Sequence, residues 1–271
     1  MRLTRSQAVE DYQKHMMFKH KKFYKWLAVL GVIALFAALN MQMQNIWIQC
    51  VYKPQQNIKL NIDSIRQNQI KAPKIMSENA NKKTDNKTIS ESMNFTDIVN
   101  ADKYQKEIQK YIIGAIWLPN AGNVSLPIIL ANSNPKVQKA ALAVGVATPM
   151  SNMNFDSKNL ALGGHNMDQP NVLLSNLTDL QNGDKVYLTD TLNVYTYKVY
   201  SKFEVMPSAV NIFKQKKYHH KNIITLYTCN YNGSRREIVR AYRSKKTDYN
   251  KASQHIKKHF NFSSKKKETI V

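Results

Sequence analysis

One long apolar segment lies near the start of the chain. Residues 26–39 read WLAVLGVIALFAAL and carry no charge, and a mixed Asn/Gln-containing stretch follows. Fourteen residues are short for a membrane span, which needs about 20 helical residues, but the mixed stretch adds enough length if Lys25 reaches the headgroup layer. Trp26 and Trp47 then fall at the two interfaces. The pattern predicts a transmembrane signal anchor over residues 26–48.

The charge before this segment predicts its orientation. Five lysines lie in the basic stretch of residues 1–25, at positions 14, 19, 21, 22 and 25. By the positive-inside rule this end stays cytoplasmic, and the chain after the span lies outside the cell. A cleaved signal peptide is the alternative, but cleavage after Ala38 would put Phe36 where the peptidase needs a small residue. We therefore expect an uncleaved anchor.

The polar stretch over residues 49–103 is predicted to be a spacer. It is rich in Asn, Lys, Gln and Ser and shows no sustained hydrophobic period. Residues 56–70 could form a weak helix, whereas residues 77–92 cannot bury enough apolar surface to fold. The folded domain is expected to begin near residue 104.

Residues 104–243 change to a β pattern. Short apolar or alternating runs are separated by turn signals such as Asn182-Gly183 and Asn232-Gly233. Helical candidates are brief, at residues 136–143 and 171–176. Seven or eight short strands with so little helix predict an all-β domain closed into a barrel. The strand candidates are residues 111–119, 125–130, 158–166, 184–190, 193–206, 222–229 and 236–243.

Charge and cysteine content narrow the class of protein. Forty Lys+Arg against 18 Asp+Glu give a formal net charge of +22, spread along the chain without one dense patch. This distribution argues against a nucleic-acid partner and favours a protein located next to polyanions such as anionic lipid or an acidic cell wall. Two cysteines exclude a disulfide framework. Residues 244–271 form a basic tail, in which residues 255–260 are either a short amphipathic helix or, as we expect, a frayed end.

Two residues stand out as candidates for chemistry. His165 follows LALGG, so it lies at a strand end where glycines allow a sharp turn. Cys229 ends the apolar strand NIITLYTC, next to a hairpin that carries Arg235 and Arg236. Neighbouring cations stabilise a thiolate, and a Cys, a His and an Arg can serve as nucleophile, acid/base and oxyanion stabiliser. Taken alone, His165 favours a structural or merely exposed role, whereas the set of Cys, His and Arg is as compatible with catalysis as with structural roles.

The strings LALGGHN, TLYTC and RREIV, in this order after a membrane anchor, resemble the sortase family and specifically its class A transpeptidases. The resemblance covers residues 111–243 and implies an eight-stranded sortase-type β-barrel with short helices. It implies Cys229 as nucleophile, His165 as proton donor and acceptor, and Arg236 as stabiliser of the oxyanion or substrate. Thr228 is expected to contact substrate, and the loop over residues 202–221 to form part of the groove. LALGGHN carries a second glycine where many members have alanine, and this is expected to alter the groove wall behind the histidine.

The resemblance also implies a reaction and its partners. A class A sortase cleaves an LPxTG-type sorting signal between Thr and Gly and joins the Thr carboxyl to an amine of lipid II or peptidoglycan. Surface proteins are thereby anchored to the wall of a Gram-positive bacterium. Two alternatives remain open: a pilin-polymerising sortase, which the polar tail fits poorly, and a non-catalytic, membrane-anchored wall-binding module. No cofactor is expected, and no calcium site, because residues 150–159 offer only Asp156 as a carboxylate.

Overall fold

The N-terminal part of the molecule is one long helix. The computed structural model describes residues 5–47, 58, 60–80, 101–167, 169–230 and 233–263, and the chain divides into two units, residues 1–54 and 55–271. The first unit contains helix α1, Arg5–Trp47. Its segment His15–Met43 is long and apolar enough to cross a membrane, by length and composition. The apolar window coincides with most of the predicted anchor.

The second unit is built on a closed barrel of eight strands in the order β1-β2-β3-β4-β7-β8-β6-β5. The predicted all-β barrel is therefore confirmed. The sequence pattern misses only β3, because two residues give no readable period. The strands are β1 Ile112–Leu118, β2 Val124–Ile129, β3 Val146–Ala147, β4 Asn159–Gly163, β5 Lys185–Thr189, β6 Asn193–Val205, β7 Ile223–Cys229 and β8 Arg236–Asp248.

Four further helices flank the barrel: α2 Ile62–Ala80, α3 Gln105–Gln109, α4 Pro135–Leu142 and α5 Gln254–His259. The predicted helix at residues 136–143 is confirmed by α4, which begins with a proline after the capping residue Asn134. The predicted helix at residues 171–176 is wrong. Asn171 and Leu173 have positive φ angles of 63° and 47°, which a right-handed helix excludes. A 3-10 helix follows at Leu177–Asp179.

Part of the predicted spacer belongs to the folded domain, because α2 is attached to the barrel by side-chain amides. Nδ2 of Asn68 donates to the carbonyl of Ile112 at 2.9 Å. Nε2 of Gln69 donates to the carbonyls of Ile113 at 2.6 Å and Asp190 at 2.7 Å. The predicted domain start at residue 104 is therefore too late. Residues 49–57 and 81–100 lie outside the described residues.

The end of the chain also departs from expectation. Strand β8 runs past the predicted boundary at residue 243, because it stays paired with β6 up to Asn193↔Asp248. Beyond α5, Phe260 is fully buried, and a parallel bridge joins Leu60 to Phe262. The frayed end expected at residues 255–260 is therefore wrong, and the alternative of a short helix there is confirmed by α5. The segments before and after the barrel pack on each other. Residues 264–271 lie outside the described part.

Strand β7 is buried on both faces along its whole length. It lies between β4, to which it is parallel, and β8, to which it is antiparallel. The loop after β6 covers its outer face, where the rings of Phe213 and Tyr227 lie 5.3 Å apart. Burial on both sides explains why this strand is a continuous apolar run rather than an alternating one.

Candidate active site

Cys229 and Arg236 face each other across the last pair of β7 and β8. Cys229 ends β7, Arg236 begins β8, and the two are directly opposite in the antiparallel register. Such partners have Cα atoms about 4.5–5.5 Å apart and side chains on the same face of the sheet. Both residues are buried, with exposed fractions of 7% and 4%. The fold thus places the thiol beside a guanidinium and not in a wholly apolar pocket.

His165 reaches the same level from the other side of β7. The parallel pairing of β4 with β7 ends at Gly163↔Tyr227, and His165 and Cys229 each lie two residues further on. Nδ2 of Asn166 donates to the carbonyl of Cys229 at 3.1 Å, which holds the two chain segments together. Because side chains two residues apart share a face, the pairing places His165 and Cys229 side by side.

The imidazole of His165 is held in its neutral form. The side chain is 3% exposed, and burial, together with the charges of Lys139 and Arg236, lowers its pKa to about 4. Its Nε2 is buried and has no hydrogen-bond partner among the described residues. The influence of Arg236 on this pKa places its guanidinium near His165, and the β7–β8 register places Cys229 opposite Arg236.

Arg236, not its neighbour Arg235, belongs to the cluster with His165 and Cys229. Nη1 of Arg236 donates to the carbonyls of Gly233 at 2.8 Å and Arg235 at 3.0 Å, which fixes the guanidinium against the hairpin. The side chain of Arg235 is 52% exposed, and its Nε lies 3.8 Å from Oε2 of Glu204. This is the orientation that strand alternation favours.

Thr228 does not lie where the sequence placed it. It is 2% exposed, and its Oγ1 donates to the carbonyl of Gly164 at 2.8 Å. Because successive side chains of a strand point to opposite faces, Thr228 turns away from the face that carries Cys229. The predicted groove contact is therefore wrong. Thr228 instead holds the backbone just before His165.

Two residues near the site were not singled out by the sequence analysis. Asn166 directly follows His165 and ties its segment to Cys229 through the hydrogen bond given above. Tyr227 is buried on the same face as Cys229, and burial raises the pKa of its hydroxyl while the Arg236 charge opposes that shift. Each belongs to a recognised string, GGHN or TLYTC, and that position is the only sequence signal for either.

Acidic and metal-binding side chains are sparse. Within the described ranges, no three His, Cys, Asp or Glu side chains lie close enough together to hold a metal ion. The expectation that no calcium site exists stays a prediction.

Comparison with known proteins relates the barrel to a known family. The sortase-domain family model matches residues 116–244. Sortase A of Bacillus anthracis is 36% identical over 121 residues, covering 45% of this chain and 53% of the relative. Sortase A of Listeria monocytogenes is 30% identical over 132 residues, covering 49% and 54%. The chain thus spans about half the length of these curated relatives.

A solved structure supports the fold. Sortase C-3 from Streptococcus pneumoniae superposes with a TM-score of 0.53 at 16% identity, covering 75% of this chain and 94% of that one. Residues 116–244 therefore match the sortase-domain family in sequence, and the barrel shares the fold of a solved sortase. The match to relatives named sortase A confirms the predicted resemblance to class A.

Proposed function

We propose that this protein is a membrane-anchored cysteine transpeptidase that anchors surface proteins to the cell wall. It would cleave an LPxTG-type sorting signal between Thr and Gly and transfer the Thr carboxyl to an amine of lipid II or peptidoglycan. The single observation that carries the proposal is the convergence of Cys229, His165 and Arg236 at one end of three adjacent strands. The sortase domain and the sortase A relatives support it.

The first step is formation of a thioester. The sulfur of Cys229 attacks the Thr carbonyl, and the neutral imidazole of His165 accepts the thiol proton. A pKa near 4 keeps His165 unprotonated and able to do this at neutral pH. The fixed positive charge of Arg236 offsets the negative charge that develops on sulfur and on the carbonyl oxygen.

The proton that His165 takes from Cys229 is then transferred to the leaving group. The imidazolium of His165 is short-lived because its pKa is low, so it readily protonates the departing glycine amine. An incoming amine then attacks the thioester, His165 removes one proton from it, and the thiol leaves as Cys229 is reprotonated. The chain thus needs no cofactor for the exchange of one peptide bond for another.

The anchor and its orientation belong to the same proposal. Residues 26–48 would span the membrane with the lysine-rich residues 1–25 in the cytoplasm, and they lie largely within the apolar helical segment His15–Met43. Because sorting substrates and lipid-linked acceptors are both tethered to the membrane, sharing its plane raises their effective concentration. Alkaline carbonate extraction of membranes tests this: the full chain should stay in the pellet, and release into the supernatant would contradict an anchor.

The chemical proposal is tested by trapping the acyl-enzyme. The full chain in zwitterionic detergent is mixed with an LPxTG peptide and triglycine, and intact-mass and peptide mass spectrometry locate the acyl group. We expect it on Cys229, with transfer to triglycine. Cys229→Ala should fold, as judged by circular dichroism, and form neither species. Cys50→Ala removes the other cysteine and serves as the matched control. Acyl transfer by Cys229→Ala would end the assignment.

A further inference from the structure

A basic cavity of about 390 Å³ opens on the sheet face that carries Cys229, between the β6–β7 loop and strand β6. Four cationic side chains line it, and no Asp or Glu is among the described residues of its wall. Phe203 and Val205 supply an apolar side. The four cations are Lys214, Lys216, Lys217 and Arg240.

Arg240 is built into the cavity wall. Its Nη2 donates to the carbonyl of Ile212 at 3.2 Å, and its guanidinium lies 5.2 Å from the ring centroid of Phe203. Its Nε is buried and has no hydrogen-bond partner among the described residues. A buried charged donor that lacks a partner is unfavourable unless a bound acceptor satisfies it. This unsatisfied donor and the positive charge of the wall together favour an anionic ligand.

The three lysines of the cavity also favour an anionic ligand. Lys214, Lys216 and Lys217 are exposed along the rim of the cavity, and their like charges repel one another and Arg240. A cavity lined by one sign of charge concentrates counter-ions and raises the association rate of ligands of the opposite sign. A carboxylate bound there would relieve this repulsion and complete the hydrogen bonding of the guanidinium.

The cavity lies next to the proposed active site. Val205 lines it and is the register partner of Arg236 in the β6–β8 pair. Arg240 lies four residues further along β8, so its side chain shares the face of Arg236. With strands about 4.8 Å apart and a rise of about 3.4 Å per residue, Arg240 lies about 14 Å from Cys229.

The strand order indicates which part of a substrate meets the cavity. His165, which would protonate the leaving amine, lies on the β4 side of Cys229, and β8 and β6 lie on the other side. The leaving group therefore extends toward β4, and the acyl part extends toward β8 and β6, whose residues Phe203, Val205 and Arg240 line the cavity. An extended chain advances about 3.4 Å per residue, so about four residues separate the Thr carbonyl from Arg240.

We propose that this cavity binds the carboxylate of an acidic residue one or two positions before the Leu of the sorting signal. This inference rests on the proposed function, since it extends the same substrate along the same sheet face. The protein is thereby selective among sorting signals by a residue outside the signal itself.

The experiment compares peptides that differ at one position. The full chain in zwitterionic detergent is assayed with triglycine and three LPxTG peptides carrying Glu, Gln or Lys directly before the Leu. We expect kcat/KM to be about fivefold higher for Glu than for Gln and lowest for Lys, with the preference fading at high salt. A second set moves the substituted residue one position further upstream.

Variants connect the preference to the cavity. In Lys216→Gln/Lys217→Gln, and separately in Arg240→Gln, the Glu-to-Gln ratio of kcat/KM should fall toward one. Lys185→Gln/Lys198→Gln removes two exposed lysines that pair across β5 and β6, and it should keep the wild-type ratio. Lys216→Gln/Lys217→Gln changes only exposed side chains. It therefore still tests the cavity if Arg240→Gln disturbs the structure of the loop.

Each outcome decides the inference. A Glu-to-Gln ratio of one in the wild type, at both positions, would overturn it while leaving the proposed function standing. A ratio that survives in both cavity variants would show that the charge is read elsewhere. Inhibition of all peptides alike by glycerol-phosphate polymer, lost in the cavity variants and without peptide preference, would assign the cavity to a phosphodiester ligand instead. Absence of turnover with every peptide would refute the proposed function, and the inference with it.

Discussion

The ring of Tyr227 lies over Gly163. The two residues are register partners in the parallel pair of β4 and β7, and a Cβ built on Gly163 would collide with the ring and lie 2.6 Å from the hydroxyl oxygen. Gly163, the first of the two adjacent glycines in LALGGHN, therefore leaves space for the tyrosine ring. The ring of Tyr227 is buried next to Cys229 on the same face of the sheet. A smaller residue in place of Tyr227 would leave room for an alanine at position 163.

Gly163→Ala should destabilise the protein, because neither the Tyr227 ring nor the paired backbone can easily move. Overpacking of this kind costs about 1–3 kcal/mol in the free energy of unfolding, measurable by denaturant titration. Gly163→Ala combined with Tyr227→Val should cost less than the sum of the two single changes, because the new methyl group fills part of the lost ring volume.

The neighbouring glycine supplies the control. A Cβ on Gly164 would lie 3.0 Å from Cγ and Cδ1 of Leu174, a side chain that can shift, and 3.4 Å from the carbonyl oxygen of Gly145. Gly164→Ala should therefore cost less than Gly163→Ala. Equal costs for the two, or strict additivity in the double variant, would show that the Tyr227 contact does not constrain position 163.

Arg236→Lys should reduce kcat/KM for an LPxTG peptide by about 100-fold, the loss seen when one donor to a developing oxyanion is removed. A lysine carries the charge but not the planar fork that binds two acceptors at once. Arg235→Lys should change kcat/KM by less than about threefold, since this exposed side chain is outside the cluster. Steady-state kinetics of the two variants decides, and the reverse order would assign the role to Arg235.

His165 should make the stability of the fold depend on pH. The ordinary pKa of histidine is 6.5 and that of buried His165 is about 4, so the unfolded chain binds the proton first as the pH falls. The stability that comes from keeping His165 neutral is complete above pH 6.5 and is lost as the pH falls toward 4. The loss amounts to about 3 kcal/mol in the free energy of unfolding.

His165→Gln isolates this effect from the other titrating groups. Denaturant titrations at pH 7, 5.5 and 4.5 should give a difference between wild type and variant that shrinks or changes sign as the pH falls. A difference that stays constant across this range would show that His165 keeps an ordinary pKa in the folded state.

Gln69→Ala should loosen α2 from the barrel. Its amide satisfies the carbonyls of Ile113 and Asp190, and loss of such a partner costs about 1–3 kcal/mol. Gln67→Ala, an exposed position on the same helix, should cost less than about 0.5 kcal/mol. Hydrogen exchange should show faster exchange in α2 for the first variant only. Equal protection in both would mean that α2 contributes no stability to the domain.

The sequence by itself determined the barrel, because strands of five to thirteen residues carry an apolar period of their own, as β5 and β6 do. It also determined Cys229, His165 and Arg236 as candidates, since each lies in a short string at a strand end. It could not show β3, whose two residues have no period, or the docking of α2 and residues 244–263. Those segments read as polar, because they are held by a few amide hydrogen bonds and by single buried side chains such as Phe260.

Only the tertiary structure decided what depends on neighbours distant in the chain. The parallel register of β4 and β7 brings His165 to the level of Cys229, turns Thr228 away from the groove and places Tyr227 over Gly163. The pKa of His165 depends on burial and on Lys139 and Arg236, which approach from other elements. A local pattern fixes which face of a strand a residue occupies, but the packing of other strands fixes what that face meets.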